Sequence, residues 1–132
     1  MARLAVLPMF LLAVAMAALA APASAFVEED MAKLMTALRS GLPVDCRGCN
    51  LSYANLSGFD LTGADLAGAY MSGARLTDTV LRGANLDHAD LSRADLTCAD
   101  FTGARLADIR ATSAKWCGTV MPDGTVNDSR CP

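Results

Sequence analysis

From Cys49 onward a large apolar side chain recurs at every fifth position: Leu51, Leu56, Leu61, Leu66, Met71, Leu76, Leu81, Leu86, Leu91, Leu96, Phe101 and Leu106. A small residue, mostly Ala, stands two positions before each except Leu61, which Phe59 precedes. A helix repeats near 3.6 and a strand on two, so neither alone sustains a period of five. Read in fives, the chain runs CNLSY, ANLSG, FDLTG, ADLAG, AYMSG, ARLTD, TVLRG, ANLDH, ADLSR, ADLTC, ADFTG, ARLAD, twelve units to Asp108, and then the degenerate IRATS and AKWCG. The first and third residues of a unit share a face if the unit is a short strand, and the last two are polar or Gly, the types that turn a chain. Each unit therefore reads as a very short strand plus a corner, and fixed-period self-similarity of this kind predicts a solenoid.

Upstream, Met31, Leu34, Met35 and Leu38 recur at helical spacing behind Glu28, Glu29 and Asp30 and ahead of Gly41 and Pro43. This predicts a short amphipathic helix within residues 26–45. Such a helix is marginal alone, so its apolar face is expected to lie on neighbouring apolar surface. After Gly118 the register gives way to TVMPDGTVNDSRCP, a turn-rich tail over 119–132 with Asp123-Gly124 behind Pro122. At the other end, Arg3 precedes an uncharged run from Leu4 to Val27, in which Ala23-Ser24-Ala25 fits the small-x-small cleavage pattern. Met1–Ala25 thus reads as a secretory signal and the mature chain as beginning at Phe26. The run also approaches the roughly 20 apolar residues of a membrane span, so an uncleaved anchor is the alternative.

The tandem A-(D/N)-L-x-x pattern from Cys49 to Gly118 resembles the pentapeptide-repeat family. The resemblance implies an all-β solenoid: a right-handed quadrilateral β-helix, four units to the coil, with the Ala and Leu positions inward and the other three outward. Fourteen units would make about 3.5 coils. Residues twenty apart then stack, giving inner ladders Leu56, Leu76, Leu96, Trp116 and Leu61, Leu81, Phe101, with the bulky Phe59, Ile109 and Trp116 near the ends. Terminal coils expose open edges, so the helix and the tail are expected to act as caps. The domain order is then signal 1–25, capping helix and linker 26–45, β-helix 46–118 and cap tail 119–132. On the outside, Arg75, Asp95 and Lys115 alternate in sign beneath Asn55, as do Asp90 and Arg110 beneath Tyr70, the pattern of a solvated, self-neutralising surface.

Composition narrows the function. Residues are 53% hydrophobic but only 5% aromatic, which fits a core of small aliphatic side chains. Without Arg3 the mature part keeps ten basic against 14 acidic residues, a net charge of −4 that argues against nucleic-acid binding. The five cysteines all fall in the mature part, which in an exported chain favours disulfides. Cys46 to Cys49, CRGC, is open to a redox pair, half a zinc site or a local disulfide. The redox reading lacks a βαβ context. Zinc needs four ligands together, whereas stacking puts Cys49 and Cys117 roughly 15 Å apart along the axis. A Cys46–Cys49 bridge is therefore preferred, with a Cys117–Cys131 bridge whose C-x-T-x-M-P-D-G setting resembles the tails of some exported family members. Cys98 is left over, an unpaired thiol diagonal to Cys117 that competes for the same partner.

His88, beside Asp87 and stacked over Asp108, reads as an exposed corner histidine rather than a metal ligand. No nucleophile has a base at recognisable spacing, and a small square core has no room for a ligand cavity, so neither catalysis nor a cofactor is expected. The preferred function is a structural or protein-interaction module of the bacterial envelope, periplasmic or extracellular, free of the membrane after signal cleavage. Its expected contacts are the outward Tyr53, Tyr70 and Val80, and its expected state is a monomer, a Cys98-linked dimer or an end-stacked dimer. The alternatives are a DNA-mimicking topoisomerase-binding protein, which the resemblance allows but the export signal and alternating charges oppose, and a metal or redox protein using the CxxC.

Overall fold

In the computed structural model, which describes residues 23–132, the chain returns upon itself every twenty residues. Twelve parallel bridges join the second residue of a unit to the second residue four units on, from Asp45↔Asp65 to Asp100↔Val120. Four five-residue sides thus close one turn of a square coil. Each side contributes a single bridging residue, too short a piece to count as a strand. Regular strands among the described residues are confined to an antiparallel pair in the tail, β1 (Thr119–Val120) and β2 (Val126–Asn127). The expected signal, Met1–Ala25, lies almost wholly outside the described residues.

The five-residue unit has a hydrogen-bond explanation. The N–H of the third residue donates to the second residue of the next coil, as Leu51 does to the Tyr70 carbonyl at 2.7 Å, and that of the fifth to its fourth, as Tyr53 does to Ser72 at 2.9 Å. The N–H of the first residue closes the corner, Ala54 to the Leu51 carbonyl at 3.1 Å. The second residue is Asp or Asn because its side-chain oxygen accepts the N–H two residues on. Asn50, Asn55, Asp60, Asp65, Asn85, Asp90, Asp95 and Asp100 all do this. A Thr at the fourth position adds its hydroxyl, as Thr102 does to Asp100 at 2.5 Å.

These corner bonds predict acid sensitivity. The Thr102 hydroxyl, aided by its N–H and by Arg82, holds the Asp100 carboxyl at about 2, and the Arg47 guanidinium does the same to Asp45. Asp60, Asp90 and Asp95 are lowered by the same kind of side-chain bond, from Thr62, Ser92 and Thr97. A carboxyl lowered on folding stabilises the fold above its unfolded value of about 3.9, and that contribution is lost as pH falls through the folded value. Stability is therefore expected to decline between pH 4 and about 2. In Thr102→Val part of that loss should disappear, which urea melts across the range will measure.

The fifth residue turns the corner in the left-handed region. Gly58 (φ 73°) takes this shape easily, but Tyr53, Asp78, His88, Arg93, Cys98, Asp108 and Ser113 occupy it too, with φ between 54° and 62°. A side chain there costs about 1–2 kcal/mol, whereas Gly adds roughly 0.5–1 kcal/mol of backbone entropy loss on folding. Arg93 is exposed. Arg93→Gly is thus expected to raise stability by up to about 1 kcal/mol in a denaturant melt.

Inside, the third residues from Leu51 to Phe101 are all fully buried. Thr79 replaces Ala at one inward position, and its hydroxyl donates to the Leu56 carbonyl at 2.8 Å. Thr119 repeats this on Leu96 at 2.7 Å. The match shows that TVMPD (119–123) continues the register of TVLRG (79–83), one unit beyond Gly118. VDCRG (44–48) likewise joins the stack upstream, with Cys46 at a buried third position.

The ends are covered differently. Helix α1 (Ala23–Ser40) buries Leu34 and rests Met31, Ala37 and Leu38 against the first coil, while Met35 stays exposed. Gly41 (φ 64°) stops it, with Leu42 N–H on the Ala37 carbonyl at 3.1 Å and Gly41 N–H on Leu38 at 3.4 Å, the Schellman pattern. The Asp30 carboxylate accepts the Asn50 N–H at 2.6 Å, in place of the carbonyl a preceding coil would supply. At the far end, Trp116 donates to the Ser129 carbonyl at 3.1 Å and Gly118 to the Asp128 carboxylate at 3.0 Å. The half-buried Trp116 ring sits 6.1 Å from that of Phe101, so it closes the core only in part.

Candidate functional site

A groove of about 560 Å³ runs parallel to the coil axis along one edge of the prism. One wall is a corner column of fifth residues, Gly68, His88 and Asp108, and the other is a bridged column of second residues, Tyr70, Asp90 and Arg110. Tyr70 is 57% exposed. Bonds from the Ser92 hydroxyl and N–H hold the Asp90 carboxyl below the usual range. His88 Nδ1 and Asp108 Oδ2 are 3.8 Å apart, and both are well exposed, an arrangement that contributes little to stability.

Asp87, the sequence neighbour of His88, is not part of this groove. It is buried, accepts the Ala107 N–H at 3.0 Å and pairs with the Arg105 guanidinium. His88 thus has one carboxylate within ion-pair distance, short of the three or four donors that a metal site gathers. Among the described residues a second cluster of ligand atoms is Cys117, Asp128 and Cys131. There the two sulfurs are at disulfide distance and Asp128 is engaged by Gly118.

Of the expected contacts, the structure brings two near each other and separates the third. Tyr53 is 75% exposed at the corner that ends the Tyr70 side, and its ring covers the place where Gly73 lacks a side chain. Val80 is half-buried on the opposite side, in a column with Asp60, Asp100 and Val120. A further column reads Asn55, Arg75, Asp95, Lys115, with Lys115 Nζ 3.9 Å from Asp95. Its charged members alternate in sign, so this side carries no acidic stripe.

Cys46 and Cys49 lie at disulfide distance, both with inward positions, as do Cys117 and Cys131 in the tail, and Cys98 is free and exposed. Asp30 and Asp87 were missed as structural groups by sequence reasoning. The signal for Asp87 was an acid at the fourth position with Arg105 eighteen residues on, and for Thr79 a Thr in the Ala column.

A square coil of five-residue sides with a packed aliphatic interior defines a class, the repeat solenoids. Within that class the chain belongs to the family described as Pentapeptide repeats, whose profile matches eight copies over residues 45–83 and 74–110, a span of half the chain. It is similar to alr5209, a pentapeptide repeat protein from Nostoc Pcc 7120, at 37% identity over 64% of this chain and 73% of that one, with a TM-score of 0.50. Similarity extends to HetL, a pentapeptide repeat protein involved in heterocyst differentiation regulation from the cyanobacterium Nostoc sp. strain PCC 7120, at 31% identity, 63% and 43% coverage and a TM-score of 0.39. QnrB1, a plasmid-mediated fluoroquinolone resistance protein, matches at 28% identity, 50% and 36% coverage and a TM-score of 0.33. No curated protein matches. Among the described residues no helix is long and apolar enough to cross a membrane.

Proposed function

We propose that the protein is a non-enzymatic structural or protein-interaction module of the bacterial cell envelope, exported by the Met1–Ala25 signal. Its body is a right-handed β-helix, about 3.5 coils from the recognisable repeats and about four with the units at 44–48 and 119–123. The single observation that carries the reading is the groove beside Tyr70, an exposed aromatic on a flat, rigid side. Tyr is the type of side chain that anchors protein interfaces, because its ring is large and its hydroxyl stays polar. The two cysteine pairs fit an oxidising compartment. Interior third residues fill the coil with side chains, which fits binding on an outer face rather than turnover in a cavity.

The test compares wild type with Tyr53→Ser/Tyr70→Ser as bait in envelope extracts. Wild type is expected to retain a specific protein that the variant loses, while the two melt within about 0.5 kcal/mol of each other, as exposed substitutions do. Recovery of no specific protein in any growth state, or equal recovery by both baits, would overturn the proposal.

A further inference from the structure

Three cysteines meet near one corner of the last coil. Cys98 is exposed at a fifth position with φ 57°, and its N–H donates to the Cys117 carbonyl at 2.9 Å. The residue one coil further along the column is Gly118, and a Cβ placed there would lie 3.3 Å from Cys98 Sγ. The thiol therefore packs close over Gly118, where a side chain would crowd it, next to the residue that carries the tail disulfide. Cys117 is at disulfide distance from Cys131, and the segment between them bears Asp128 and Ser129, which cap Gly118 and Trp116. Cys98 thus stands against the backbone of Cys117 and Gly118, next to the residue whose disulfide ties down the tail segment.

We propose that this corner is an intrachain thiol–disulfide exchange site that releases the C-terminal tail. Cys98 gives its proton to solvent, and its thiolate attacks Cys117 Sγ. The Cys98–Cys117 bond forms as the Cys117–Cys131 bond breaks, and the electron pair leaves on Cys131, which is protonated from solvent. One disulfide is exchanged for another, so no oxidant or reductant is consumed. With Cys131 free, the tail keeps its hydrogen bonds but loses its covalent tie, and the Trp116 end of the core becomes able to open.

Trypsin separates the three cysteines, placing Cys98 in 94–105, Cys117 in 116–130 and Cys131 in 131–132. The non-reduced protein, incubated at neutral to mildly alkaline pH, quenched in acid, alkylated and digested, is expected to yield both 116–130 linked to 131–132 and 94–105 linked to 116–130. Cys131→Ser, oxidised with glutathione disulfide, should become a monomer with a Cys98–Cys117 bond, and the emission of Trp116 should shift to the red. Cys98→Ser should show the 116–130 to 131–132 linkage alone. The proposal fails if wild type shows only that linkage at every pH. It also fails if oxidised Cys131→Ser carries separate glutathione adducts on Cys98 and Cys117, or a bond between two chains.

Discussion

Leu86→Asp is expected to abolish cooperative folding. Leu86 is fully buried in the middle of the stack, one coil from Leu66 on one side and from Leu106 on the other. The change gives up about 1.5–3 kcal/mol of Leu burial. It also places an unpartnered polar group among aliphatic side chains, at a further cost of about 2–7 kcal/mol. Together these rival the whole stability of a small domain, about 5–15 kcal/mol. The solenoid makes matters worse, because each coil contacts only its neighbours, and one broken rung leaves two short stubs with little core apiece. Circular dichroism during a urea titration gives the answer. A cooperative transition near that of wild type would mean that the third residues do not face inward.

Leu34→Ala is expected to detach α1 while leaving the coils folded. Leu34 is 1% exposed and belongs to the same buried cluster as Val44 and Cys46, so truncation should cost about 2–5 kcal/mol. That loss falls on an element joined to the body by few other groups, among them Met31, Leu38 and the Asp30 bond to Asn50. Limited trypsin digestion should then cut rapidly after Lys33 and Arg39 while the chain beyond Val44 resists. The uncovered first coil should also make association depend on concentration, since its open backbone edge accepts another chain. Equal protection of α1 in variant and wild type would remove the capping role.

Periodicity gave away a solenoid of short strands and corners, and the resemblance of its units to pentapeptide repeats implied the square coil. With four units to the coil, as that resemblance implied, residues twenty apart stack, and the bridges from Asp45 to Val120 have that spacing. The helix was also legible from periodicity, but its buried face was not. Met35 belongs to the apolar stripe by spacing, and yet the first coil meets Met31, Leu34 and Leu38 and leaves Met35 exposed. A pattern fixes which residues share a face; how that face seats depends on the surface it meets. The outermost units were hidden because VDCRG has Cys46 where Leu is usual and TVMPD runs into Pro122, Asp123 and Gly124, which read as a turn.

The sequence by itself determined the repeat, the inward and outward positions and the corner chemistry of Asp, Asn and Gly, because all of these are local and recur with the chain's own period. Tertiary structure decided the rest. It turned Asp87 away from His88 toward Arg105 and the Ala107 N–H, set Asp30 on the Asn50 N–H, and hung the Cys98 thiol over Gly118 beside the tail disulfide. Each of these depends on where a side chain points once another coil, helix or tail lies against it, and the spacing of residues along one chain does not carry that direction.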